Sequence, residues 1–191
     1  MNINEWKKLD NTQKNKIFQS QKLPIDFIKQ IWDDLYNWQR TAVCAFQILP
    51  IEFIKQIWET LTKEQKSWIC TRQKLTLEFI EYVWNELTKS QREDICCRQE
   101  LSIEFIERIW NRLTEEQRNN ICLYQKLNNE IIKELWNELT ERQRNYICAN
   151  QTLSIDFIKK IWNELTEYQR CIIANKDPLI KFVTYNLGKG E

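Results

Sequence analysis

Gln99–Tyr124 reads QELSIEFIERIWNRLTEEQRNNICLY, and Gln151–Lys176 reads QTLSIDFIKKIWNELTEYQRCIIANK. The two align without a gap, and a third copy, Gln125–Asn150, fits between them. Working outward in both directions, Trp6, Trp32, Trp58, Trp84, Trp110, Trp136 and Trp162 stand 26 residues apart. Leucines keep the same register from Leu9 to Leu165, glutamines from Gln13 to Gln169, and cysteines from Cys44 to Cys148. A fixed period of this length is the mark of a stacked repeat architecture.

Each unit reads as two short helices. In Gln99–Tyr124, Ser102 is a candidate N-cap, and Ile103, Phe105, Ile106, Ile109, Trp110 and Leu113 follow at helical spacing on one arc. Glu107, Arg108 and Arg112 fall outside that arc. Thr114 then opens a second helix, paired with Gln117 in a capping box that satisfies two orphan backbone N–H groups. The same pair recurs at Thr62/Gln65, Thr88/Gln91, Thr140/Gln143 and Thr166/Gln169, with Asp10/Gln13 as a variant. Short linkers make neighbouring helices antiparallel. No segment reads as a strand. The expected fold is an all-α solenoid of tandem 26-residue two-helix repeats with terminal caps. A partial repeat over 1–20 caps one end, six repeats occupy 21–176, and 177–191 is expected to form a C-terminal capping helix and tail.

The segment Gln-x-Leu-Ser-Ile-Glu-Phe-Ile, Gln99 to Ile106 and again with one change at Gln151 to Ile158, resembles the QKLSEEFIE-type short helical repeats of bacteriophage and giant-virus proteins. The resemblance spans Gln21 to Lys176. It implies a viral or phage origin and a binding role, and it implies no reaction.

Composition points the same way. There are 28 Lys+Arg against 27 Asp+Glu and no His, a net charge of +1. A general polyanion binder needs a basic excess, and the commonest general base and metal ligand is missing. Gly188 and Gly190 are the only glycines, so no Gly-rich phosphate loop exists. Mean hydropathy is −0.61 and apolar runs are short, so no membrane span is expected. The first residues, MNINEWKKLD, lack the apolar core of a signal peptide. No catalytic constellation stands out, and the chain is expected to be no enzyme, with no cofactor and no metal.

Three recurring series could be read as sites. The tryptophans could stack bases or sugars, but Trp110 lies inside the apolar arc, so core packing is the better reading, with the Gln125 series as candidate acceptors for the indole N–H groups. The cysteines lack metal-ligand spacing, and repeats about 8–10 Å apart hold equivalent cysteines too far apart for disulfides. They fit small buried residues, and free thiols point to the cytoplasm, that of the host if the protein is viral. Arg40, Lys66, Arg92, Arg118, Arg144 and Arg170 form a cationic line that could follow a phosphate backbone. Asp26, Glu52, Glu78, Glu104, Glu130 and Asp156 form an equal anionic line, which favours a ladder of ion pairs and helix-terminal charges.

The functional signal lies in what varies between repeats. On the second helix, Gln117, Arg118, Ile121, Cys122 and Gln125 mark recurring positions, whereas Glu116, Asn119, Asn120, Leu123 and Tyr124 mark changing ones. The changing face carries Trp38, Phe46, Trp68, Tyr124, Tyr146 and Tyr168 beside Arg72, Arg98 and Arg142. Aromatic residues and Arg are the types enriched at interface hot spots. These nine are the candidate partner-binding residues, and the expected partner is another protein or a peptide, with inhibition of a host or defence protein as the role. Nucleic acid read by one or two side chains per repeat is the alternative, and self-association through Trp38 and Phe46 stays open.

Overall fold

The computed structural model describes residues 2–176, so the cap expected at 177–191 lies outside the described residues. Every element among the described residues is helical. A lead pair, α1 (Ile3–Lys7) and α2 (Asn11–Ser20), is followed by six repeats. Their first helices are α3 (Ile25–Ile31), α5 (Ile51–Ile57), α7 (Leu77–Val83), α9 (Ile103–Ile109), α11 (Asn129–Leu135) and α13 (Ile155–Ile161). Their second helices are α4 (Asn37–Phe46), α6 (Lys63–Arg72), α8 (Lys89–Arg98), α10 (Glu115–Tyr124), α12 (Glu141–Asn150) and α14 (Glu167–Lys176). The result is an all-α fold of tandem two-helix repeats of the solenoid type.

Local chemistry sets the boundaries. The hydroxyls or amides of Thr76, Ser102, Asn128 and Ser154 accept from the third N–H of their first helices, while Pro24 and Pro50 fix an extended entry at the same slot. Each capping box expected on the second helices forms; at Thr62, for example, Gln65 N–H donates to Oγ1 (3.2 Å) and Thr62 N–H donates to Gln65 Oε1 (3.0 Å). The first helix is shorter than its apolar arc implies. It ends at Ile109, and Trp110–Arg112 tighten into a 3₁₀ turn in which Leu113 N–H donates to Trp110 O at 3.1 Å. Leu113 then turns extended and feeds the next cap. The tighter turn continues the apolar arc while reversing the chain within two residues.

The described residues form two compact units that divide after Gln99. In the first, α2, α4, α6 and α8 stack in sequence; in the second, α10, α12 and α14 do. Ile69, Cys70, Ile95 and Cys96 face inward in the first unit, and Ile121, Cys122, Ile147 and Cys148 in the second, all fully buried. Tryptophans meet the phenylalanine of the following repeat edge-on: Trp32–Phe53 at 5.4 Å and Trp58–Phe79 at 5.2 Å in the first unit, Trp136–Phe157 at 5.5 Å in the second.

Two glutamine series tie the repeats together through the backbone. Gln73 Nε2 donates to Cys44 O (2.9 Å) and Gln47 O (2.7 Å) of the preceding repeat, and Leu49 N–H donates to Gln73 Oε1 at 2.9 Å. Gln47, Gln99 and Gln151 repeat all three bonds. These amides are thus taken up by backbone groups rather than serving as the indole acceptors that the sequence suggests. The buried N–H groups of Trp58, Trp110 and Trp136 have no acceptor. The capping-box glutamines form the second tie: Gln91 Nε2 donates to Lys63 O (3.0 Å) and Ser67 Oγ (3.2 Å). Gln143 and Gln169 donate likewise to Asn119 Oδ1 and Asn145 Oδ1.

Replacing Gln73 with Leu keeps the volume but leaves one N–H and two carbonyls buried without partners. At roughly 1–3 kcal/mol per orphaned group, Gln73→Leu is expected to cost about 3 kcal/mol or more in urea unfolding, against nearly nothing for exposed Lys74→Ala.

Candidate functional site

The changing positions of the second helices form the outer stripe of each unit. In the first unit, α4 places Trp38 and Phe46 at its two ends, both 44% exposed. Trp68, half-buried, and exposed Arg72 follow on α6, and exposed Arg98 on α8. In the second unit, Tyr124 lies on α10, Arg142 and half-buried Tyr146 on α12, and Tyr168 on α14. The scaffold uses none of these nine side chains in its inter-repeat glutamine ties. Several contact each other or a stripe neighbour: the Arg72 guanidinium lies 5.8 Å from the Trp68 ring, Arg142 Nε donates to Tyr146 Oη at 3.0 Å, and Arg98 meets Asp94 at 4.0 Å. Such contacts hold flexible arginines in place beside the aromatic groups.

Two assignments on this face change. Asn119 varies between repeats yet is buried, because its carbonyl oxygen accepts from Gln143 of the next repeat. Polar acceptors fill the same slot at Thr41, Ser67 and Asn145. Exposed Tyr36, Ile48 and Tyr82, 60%, 72% and 69% accessible, were missed. Their signal was present as departures from polar slots: Tyr36 replaces the capping Thr, Ile48 aligns with Lys74 and Glu100, and Tyr82 aligns with Gln56 and Arg108.

The cationic line is not the ion-pair ladder that its charge balance implied. Arg40, Arg92, Arg118, Arg144 and Arg170 each donate Nε to the carbonyl of the tryptophan eight residues earlier, at 3.0–3.2 Å. Each guanidinium lies over the same indole ring, 5.1–5.6 Å from its centroid, and Lys66 sits 4.7 Å from that of Trp58. These cations close the 3₁₀ turn and cover the indole. The anionic line sits in the first turns of the first helices, and its own backbone N–H and the Ser102 hydroxyl hold Glu104 below the ordinary carboxylate range.

Cys44, Cys70, Cys96 and Cys122 are buried, and desolvation pushes their thiols up to about 12, and that of Cys148 to about 11. Among the described residues no group of three or more His, Cys, Asp and Glu could hold a metal ion. No helix among them is long and apolar enough to cross a membrane. Comparison with protein-family models, curated proteins and solved structures returned no match.

Trp110 is 2% exposed and Trp68 sits on the stripe, so their truncations separate scaffold from surface. Trp110→Ala is expected to cost about 3–5 kcal/mol in thermal or urea melts and Trp68→Ala well under half of that. A thiol-specific reagent on the folded protein should label exposed Cys171 first and half-buried Cys97 slowly, with the other five silent until unfolding. The raised pKa values also fix the sign of the alkaline response. Above the ordinary thiol value of 9.0 the unfolded chain ionises first, so the five thiols' contribution is intact below that pH and is lost as pH climbs toward about 12.

Proposed function

We propose that the chain is a non-enzymatic helical-repeat binding module that engages a protein partner through the aromatic and arginine stripe of its second helices. One observation carries the reading. The recurring side chains are consumed by the scaffold, while Trp38, Phe46, Trp68, Arg72, Arg98, Tyr124, Arg142, Tyr146 and Tyr168 lie outside the inter-repeat ties and on the surface or partly exposed. Large aromatic groups left at changing positions of a rigid frame are the composition of an interface core. The resemblance to phage and giant-virus repeats supports a viral origin and a target in the host cytoplasm that is inhibited by being covered.

The same geometry weighs against phosphate tracking. That role needs the cationic line free to meet a backbone, and its arginines are spent on tryptophan carbonyls and indole rings. Modular reading of nucleic acid by Arg72, Arg98, Arg142 and Asn150 remains the rival, because those groups are exposed.

Affinity capture from host lysate, with retained protein and nucleic acid identified, supplies the partner. Trp68→Ala and Tyr124→Ala are each expected to weaken its binding by about 2 kcal/mol or more with the fold intact, and with little salt dependence. Nucleic-acid binding that falls steeply with salt, by about one power per neutralised phosphate, and survives loss of the aromatics would reverse the assignment.

A further inference from the structure

We infer that the second-helix face of the first unit is a docking site for an acidic peptide segment led by an apolar residue, its apolar end on α4 and its carboxylates on α6 and α8. The inference rests on the protein-binding reading above and names the chemistry of the partner.

Charge is separated within this unit in a way that the whole-chain value of +1 conceals. Its first helices and their 3₁₀ turns carry eight carboxylates against two lysines, whereas α4, α6 and α8 carry seven cations against three carboxylates. In the second unit the corresponding counts are seven carboxylates against five cations, and four against five. Of the first unit's seven cations, Arg40, Lys66 and Arg92 cover tryptophan rings, so its outer face takes its basic character from Lys63, Arg72, Lys89 and Arg98, and a face of one sign steers partners of the other.

The apolar groups are not spread evenly over that face. Tyr36, Trp38, Phe46 and Ile48 all lie on or beside α4, and Ile48 is 72% exposed. On α6 and α8 the position of Phe46 is taken by Arg72 and Arg98, and the position of Ile48 by Lys74 on the linker after α6. A segment lying across the stack therefore meets an aromatic ring on α4, then a guanidinium on each of the next two helices. Packed helices stand about 10 Å apart, and an extended chain advances about 3.3 Å per residue. The complementary ligand is thus an apolar residue followed by carboxylates about three and six positions later. Arginine at helix C-termini also complements the macrodipole, but that term asks for no exposed Phe or Ile on the adjacent helix. A base-stacking strand fits less well. Ile48 offers no ring to stack on.

The probes are fluorescent peptides of about ten residues, in which Trp is followed by Glu at the third and sixth positions beyond it. Controls carry Lys at those positions, or the two Glu adjacent to the Trp, and oligo-dT represents nucleic acid. In anisotropy titrations of the full chain, the spaced acidic peptide is expected to bind at least about tenfold more tightly than any control. The double variant Arg72→Glu/Arg98→Glu should lose that preference and favour the Lys peptide, a charge swap that unfolding cannot mimic. Lys133→Ala, an exposed change on α11 away from the second-helix stripe, should change nothing. Equal affinity for the Lys peptide, tighter binding of oligo-dT, no peptide binding, or a concentration-dependent self-association abolished by the charge swap would each overturn the inference. The captured partner separates the two readings. Binding lost on Trp68→Ala but kept in the charge-swapped variant defeats the acidic ligand alone, whereas binding unaffected by either removes the protein-binding stripe as well.

Discussion

The amide of Gln73 and its counterparts is the interaction on which the architecture depends. A helix that ends leaves its last carbonyls without intrahelical partners, and proteins commonly close that end with a glycine in the left-handed region. Here no described residue has positive φ, and both glycines fall outside the repeats. The second helix instead runs into an extended glutamine: Gln73 has φ −99° and ψ 149°. The orphan carbonyls left behind by α4 are taken by the glutamine amide of the following repeat. The end of one helix is thus completed by its neighbour. That requirement fixes the 26-residue period, because an inserted or deleted residue would move the amide away from three backbone groups at once.

Because the ties run from side chain to backbone, they place few demands on the side chains of the repeat that receives them. Cys44 and Gln47 contribute carbonyls, which any residue carries. The outer stripe is therefore released from structural duty, and neighbouring repeats can hold Trp68, Asp94, Asn120 and Tyr146 at one position without disturbing the stack. The slots that stay restricted are those whose side chains do the bonding: the glutamines, the capping threonines, and the small polar acceptors at Ser67, Asn119 and Asn145. Variation at the stripe and constancy beneath it follow from one mode of linkage.

Period, capping boxes and core were legible in the sequence because each depends on residue type at fixed spacing. Trp110, Ile106 and Ile121 fall where their periodicity puts them. What escaped depends on where a polar side chain points. Nothing in the pattern distinguishes a glutamine aimed at an indole from one aimed at a backbone carbonyl, and both fit a buried Gln125-type position. The cationic line looked like half of an ion-pair ladder because equal charge counts suit that picture. Yet Arg118 reaches the Trp110 carbonyl, which no sequence count records. The exposed stripe was readable from variation alone, whereas its division into an apolar helix and two basic ones emerges once α4, α6 and α8 are known to stack.

The last repeat shows how the linkage is brought to a close. Continued periodicity would place a glutamine at position 177, where the sequence has Asp177. The neighbouring Lys176 reaches back instead, and its Nζ donates to Gln151 O at 2.6 Å, the carbonyl that the missing amide would have taken. Burial lowers the pKa of this ammonium, consistent with its partial withdrawal from water. An amide both donates and accepts, so in the interior it satisfies two carbonyls and a backbone N–H of the preceding segment, as Gln73 does for Cys44, Gln47 and Leu49. An ammonium only donates. Lys176 can therefore complete a carbonyl of the preceding segment, but it offers no acceptor for a Leu N–H of the kind that Gln73 and Gln151 engage there. Exchanging glutamine for lysine keeps the donor half of the link and gives up its acceptor half.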